Sequence, residues 1–284
     1  METVQETRTQ IIAEPRRDDG VRIQAGAYLL ELSLDWIVLR ASENIHHLLG
    51  ESHVTLIDEP LGRFVQAQAL HDLRNLFSRL SGTTGIARAY GVRLTDERGR
   101  EPHDIAFQLS EGRVILEAVP SANESFGQAF GSIGGLIAGL EESSGDALLE
   151  GGARRMRALT GFDRVTLFLG DRRVESSREA YSAPADPRPD LPILIADTEA
   201  EPVALFPRTS DDTSVGAALM RADDFVSLRE SGVRSAMRVM FDGGEFRCES
   251  RRSREPNLEV HAAAELFTQL FAMRLEIDRL RNRY

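Results

Sequence analysis

The residues of this 284-residue chain that could do chemistry are few and scattered. Its one thiol is Cys248, and its six imidazoles are His46, His47, His53, His71, His103 and His261. His46 and His47 are adjacent, so they do not share a helix face as an i, i+4 metal-binding pair would. A single Cys excludes a disulfide framework, a CxxC redox pair and a Cys-rich zinc site. Cys248 follows Phe246 in an apolar-alternating run and reads as a small core residue. All 34 basic residues are Arg, and the absence of Lys removes Schiff-base chemistry and a phosphate-loop Lys together. GSIGGLIAG has the glycines of a phosphate loop without its GK[ST] ending, and it sits within a helical period, so it reads as a packing surface. No GxSxG elbow or Ser-His-Asp arrangement can be picked out. The paired acids Asp211-Asp212 and Asp223-Asp224 read as a solvated loop and a helix start. No catalytic constellation results, and a non-enzymatic sensor or interaction protein is expected.

Composition narrows the partners. Forty-five acids against 34 bases leave a net charge of −11, which argues against nucleic acid or an anionic membrane as the ligand. Apolar residues make up 42%, enough for real cores, yet no apolar run approaches the ~18 residues of a membrane span. METVQETRTQ does not resemble a signal peptide, and a cytoplasmic location is expected.

The elements that would position any site divide the chain in three. Residues 1–22 are polar and read as an extended arm. Residues 23–120 give strand candidates in AYLLEL, DWIVLRAS, ARAYGVRLTD, PHDIAFQL and RVILEAVP, with an amphipathic helix over 64–80. Residues 121–284 open with a glycine-rich helix and a second helix, DALLEGGARRMRAL. The strand GFDRVTLFLG follows, then the Pro-rich loop SAPADPRPDLP and the extended run LPILIAD. EPVALFPRTSDDTS reads as irregular, and a hairpin turns at Asp242-Gly243-Gly244. The fold class expected is α+β, with two antiparallel sheets, the second flanked by helices.

Two helices carry stripes that imply self-association. Phe126, Phe130, Ile133 and Ile137 recur at 4-3-4 spacing on the glycine-rich helix, whose interleaved glycines suit close helix approach. The last helix places Ala263, Leu266, Leu270, Met273, Ile277 and Leu280 along a heptad-like seam. Its flank adds Phe267, Phe271 and Leu275. One stripe is expected to dock on the chain's own sheet and the other to meet a second copy, giving a homodimer.

GFDRVTLFLG, IADTEAEPVALFP and ESGVRSAMRVMFDGGEF resemble, in order, three signatures of the chromophore-binding GAF domain of bacteriophytochromes. IQAGAYLLEL and Glu14-Pro15 resemble the opening of the same family's PAS domain. The resemblance implies an arm (1–22), a PAS-like domain (23–120) and a GAF-like domain (121–284) with a C-terminal dimerisation helix. It also implies light sensing through a bilin, and an arm threaded through a GAF loop, here 192–221. The positions that hold the bilin have changed. The family's attachment Cys falls on Ile11, and the alternative attachment Cys of plant-type members falls on Asp223. The pocket His positions fall on Asp224 and near Arg252. The propionate-clamping arginines fall on Ile193 and Ala218, with Arg221 nearby, and the Asp-Ile-Pro segment is replaced by prolines. The expected cofactor is therefore none, with non-covalently held biliverdin or another ligand as the alternative; Asp224, Arg221 and Arg252 would line a residual pocket. The PHY and histidine kinase domains that ordinarily follow have no counterpart in these residues. Output is expected through a partner such as a histidine kinase or another phytochrome-type protein.

Overall fold

The computed structural model describes residues 20–80, 85–96, 101–121, 127–178, 191–209 and 212–281. Ile11, Phe126 and all but the last residues of the arm lie outside them.

The strands are β1 (Arg22–Ile23), β2 (Tyr28–Leu32), β3 (Val38–Ser42), β4 (Ala87–Val92), β5 (His103–Ser110), β6 (Arg113–Pro120), β7 (Arg164–Leu169), β8 (Arg172–Ser177), β9 (Leu194–Ile195), β10 (Val203–Phe206), β11 (Ser235–Phe241) and β12 (Gly244–Ser250). The α-helices are α1 (His46–Leu49), α2 (His53–Leu56), α3 (Ala67–Ser78), α4 (Gln128–Ala138), α5 (Gly145–Thr160), α6 (Val226–Glu230) and α7 (Leu258–Arg281). They build two antiparallel sheets, in the orders β1-β10-β3-β2-β6-β5-β4 and β8-β7-β12-β11-β9. The α+β expectation holds.

Strand alternation gives each sheet two different faces. On the first sheet, Leu30, Leu116 and Phe107 stand side by side in register and bury against Leu48, Leu56 and Leu73 of the short helices. The next positions, Leu29, Ile115 and Val119, point the other way and join the core of the second half. On the second sheet, Val165, Leu167, Phe246, Cys248, Met237 and Val239 face α5 and α7. There Phe246 meets Phe271 edge-on at 5.2 Å and Phe267 at 6.2 Å.

One element corrects the sequence reading. VALF was expected to be irregular, flanked as it is by Pro202 and Pro207. It forms β10, which inserts between β1 and β3 and so places a strand of the second half inside the first sheet. Its hydrogen-bonding partners lie some 160 to 180 residues away, so no local pattern announces it.

Helix α7 organises the helical layer. Its Glu259 accepts the Gly127 N–H at the start of α4 (2.7 Å), and its Asp278 accepts the Gly145 N–H at the start of α5 (3.0 Å). Its Arg274 donates to the Leu140 and Glu141 carbonyls just past the end of α4. Acids thus meet N-termini and a guanidinium meets a C-terminus, each matching the helix dipole for about 0.3–1 kcal/mol. Close approach of α5 to α7 needs Gly152, where a Cβ would fall 2.4 Å from the Phe271 ring.

The glycines of α4 behave differently. Cβ atoms at Gly131, Gly134 and Gly135 would meet nothing within 4 Å. Among the described residues nothing covers that face, and the close packing expected of it is not made by them. Ile133, expected at an interface between copies, is 3% exposed and belongs to the chain's own core, because it sits on the side of α4 that α5 and α7 cover. Ala263 is likewise fully buried. On α7 the two stripes separate as the spacing predicts. Phe267, Phe271 and Leu275 are buried, while Leu266, Met273 (64% exposed), Ile277 and Leu280 face outward. Leu270, Phe130 and Ile137 are half-buried.

Candidate functional site

The segment from Asp212 to Asp224 brings the expected site residues to the junction of the two halves. Its first part is held on the first sheet by side chains that alternation points toward the second half. Arg40 pairs with Asp212 (2.9 Å), Ser214 donates to Glu31 (2.9 Å), and Gln108 donates to the Ala217 carbonyl. Glu117 accepts the N–H groups of Leu219 and Met220, both at 2.8 Å. Between these clamps Val215, Ala218, Leu219 and Met220 are buried.

The segment then crosses the end of the arm. Ile23 bridges Arg221, and β1 pairs with β10 on its other side. Gln24 closes the ring. Its N–H donates to Met220 O, its side-chain amide donates to Leu194 O (2.7 Å), and its side-chain carbonyl accepts the Ala196 N–H (2.8 Å). Arg22–Gln24 therefore lie bracketed by the two limbs of the 192–221 loop, as the threading expectation requires at that point. The arm before Gly20, on which that expectation turns, lies outside the described residues.

Arg221, Asp223 and Asp224 emerge on the wall of a cavity of about 720 Å³, bounded also by Arg22, Gln24, Thr198–Pro202, Asp212 and Arg229. Asp223 pairs with Arg221 (3.4 Å). Asp224 accepts the Val226 N–H (3.0 Å) at the start of α6 and lies 3.7 Å from Arg229, with its carboxylate 75% exposed. It is used as a turn-forming side chain and faces solvent. Arg252 does not join these residues. It is exposed, it does not line the cavity, and its backbone carbonyl accepts the Ser235 hydroxyl. The sequence estimate put it near a pocket position, but it falls in the connection after β12, where no strand register fixes its direction.

The outer face of the second sheet carries charges that sequence reasoning did not single out. Arg164 of β7 pairs with Glu249 of β12 (2.6 Å), and each side chain is 1% exposed. Glu245 of β12 holds Arg238 of β11 (2.7 Å) on one oxygen and Arg247 (3.0 Å) on the other. Arg238 also donates to the Leu191 carbonyl, and Arg247 lies over the Phe168 ring. Burial pushes the Glu249 carboxyl up, against the pull of Arg164. The signal was present in SAMRVMF and EFRCES, where Arg238, Glu245, Arg247 and Glu249 alternate with apolar residues. Alternation marks a strand, but it does not say that its polar face is covered.

Cys248 is fully buried, and burial pushes its thiol up to about 12, so it stays protonated and out of reach of a reactant. Among the described residues no three His, Cys, Asp or Glu side chains converge as a metal ion would require, and no helix is long and apolar enough to cross a membrane.

No family model matches the chain, and no curated protein matches it. Solved structures do. The chromophore-binding domain of an unusual bacteriophytochrome from R. palustris superposes with a TM-score of 0.75 at 20% identity, covering 95% of this chain and 99% of that one. The chromophore-binding domain of Stigmatella aurantiaca phytochrome P1 gives 0.70 at 23% identity, covering 91% and 97%. The longer photosensory core module of a Stigmatella aurantiaca phytochrome gives 0.73 at 22% identity, and the match spans 58% of its length. With both sheets, the crossing of β1 and β10, and the helical layer on the second sheet accounted for, the chain has the PAS–GAF fold of bacteriophytochrome chromophore-binding domains.

Proposed function

We propose that this chain is a phytochrome-like PAS–GAF signalling module that holds no covalent bilin and acts, as a homodimer, as a non-enzymatic adaptor. The observation that carries this reading is the state of the attachment wall. Asp223 stands at one family attachment position and is tied to Arg221, Asp224 at the pocket His position is spent on the α6 turn, and the lone thiol is buried elsewhere. A thioether needs a thiolate, and none is within reach of the wall. Ile11 occupies the other attachment position. The outward stripe Leu266, Met273, Ile277 and Leu280 and the open glycines of α4 support a two-fold helical contact between copies. Signal output then passes to a partner protein such as a histidine kinase or another phytochrome-type protein.

Co-expression with a biliverdin source tests the chromophore reading. The purified protein should show no zinc-induced bilin fluorescence on a denaturing gel and no reversible red/far-red difference spectrum. A fluorescent band refutes the loss of attachment. A colour that dialysis removes favours the second reading, a ligand held non-covalently, which the roughly 720 Å³ cavity with its Arg22, Arg221 and Arg229 supports. Light scattering should give about twice the 31.5 kDa chain mass, and Met273→Arg with Ile277→Arg should halve it. A monomer at tens of micromolar in the unmodified protein ends the dimer reading.

A further inference from the structure

Glu117 is 2% exposed on the face of the first sheet that meets the second half, with Leu29 and Ala106 as its cross-strand neighbours. Both carboxyl oxygens point at one target, the consecutive N–H groups of Leu219 and Met220. Those two residues lead directly into Arg221–Asp224, and Met220 O and Ala222 N hold the crossing strand at Gln24 and Arg22. A buried carboxylate ordinarily has a cation beside it, and among the described residues Glu117 has none. The charged groups around it are engaged elsewhere. Glu31 on β2 is held by Ser214 and Arg40. Asp104 on β5 accepts from Gly91 N and Ser121, and Arg88 on β4 is held by Glu265 and His261 of α7. The docked segment from Val215 to Met220 contains no titratable side chain.

We propose that Glu117 is a proton-linked latch: its protonated carboxyl keeps the 212–222 limb on the first sheet, and its ionisation favours release of that limb. An ionised Glu117 gains most by reaching water, which requires Leu219 and Met220 to lift away. A protonated one loses part of one N–H bond but carries no buried charge. Burial pushes this carboxyl up to about 7, against the two backbone N–H bonds that pull it down, so the closed limb retains a proton that the open limb releases. Closure is therefore fully favoured at low pH and weakens as pH rises toward 7. The parts that would loosen with the limb are the cavity wall at Arg221–Asp224 and the crossing at Ile23.

The test is hydrogen exchange of the full chain at the Leu219 and Met220 amides from pH 5 to 8.5. After correction for the intrinsic pH dependence of exchange, limb opening should rise about fortyfold between pH 5 and 7 and about twofold more before levelling off by pH 8.5. Glu117→Gln should remove that rise. A flat profile in the unmodified protein overturns the latch, and so does an unchanged rise in the variant. Should the variant fail to fold, carbon-13 NMR of glutamate-labelled unmodified protein decides. With the Glu117 carboxyl resonance assigned, its titration near neutrality supports the latch, and its titration below pH 5.5 overturns it.

Discussion

On the second sheet the buried charges answer one another across neighbouring strands. Arg164 meets Glu249, and Glu245 holds both Arg238 and Arg247. On the first sheet, the alternating polar side chains also reach out of the sheet: Arg40 pairs with Glu31 across the strands and with Asp212 beyond them, Arg88 among the described residues meets only Glu265 and His261, Glu31 accepts from Ser214, and the Glu117 carboxyl accepts from the Leu219–Met220 backbone. The difference has a physical consequence. Local pairing satisfies a buried charge whenever its own sheet is folded. Long-range pairing satisfies it only while the two halves stay together, so Arg88 wholly, and Arg40 in part, ties the first sheet to the docking of the second half.

The largest effect should come from breaking a local pair. Arg164→Met leaves Glu249 buried beside no equal partner and should cost about 3–5 kcal/mol, while Arg164→Met with Glu249→Leu should recover most of that loss. Denaturant unfolding measures both. A double variant as unstable as the single one would mean that the pair is not what the residues contribute. Arg88→Met addresses the other sheet and should cost less, about 1–3 kcal/mol. Its signature is a loss of cooperativity. The only tryptophan, Trp36, lies in the first half's own core and reports that half alone. Its fluorescence should then change at lower denaturant than the far-ultraviolet circular dichroism. Coincident transitions would show that Arg88 does not couple the halves.

The smallest effect in the unmodified protein should be its pH dependence, because two junction groups oppose each other. Burial, reinforced by the Arg88 charge, lowers the His261 imidazole from 6.5 to about 3, so the folded chain binds fewer protons and loses stability as pH falls from 6.5 toward 3. Glu117, raised from 4.5 to about 7, has the reverse sign: its contribution is complete below pH 4.5 and is lost as pH rises through 7. Across pH 4.5 to 6.5 the two slopes, each at most about 1.4 kcal/mol per pH unit, largely cancel. His261→Gln should unmask stability that falls with rising pH, and Glu117→Gln stability that rises. Urea midpoints at half-unit pH intervals would show it, and parallel profiles for the two variants would refute it.

Much of this architecture was legible in the residues. The hairpin at Asp242-Gly243-Gly244 and the division of α7 into a buried and an outward stripe follow from periods that depend only on local geometry. The site was less legible. Alternation in VILEAVP marks a strand with Glu117 on one face, but whether that face meets water or Leu219 depends on a segment a hundred residues away. β10 was missed for the same reason. Arg221 and Asp224 were placed together by the family resemblance. Arg252 was placed with them by the same route and lies elsewhere, because the connection after β12 is unconstrained by pairing.

Helix α7 touches the ends of its neighbours at Glu259, Arg274 and Asp278, and the first two are separated by roughly 22 Å of helix. Those contacts make it a gauge. Sliding by one residue moves every cap ~1.5 Å along the axis and swings it about 100° around, so all three would miss their termini together. A piston motion of α7 is thereby forbidden while α4 and α5 remain whole. A one-residue insertion after Gln269 should therefore unfasten Arg274 and Asp278 together, leave the Glu259 cap in place, and swing Phe271 away from Phe246 on the second sheet.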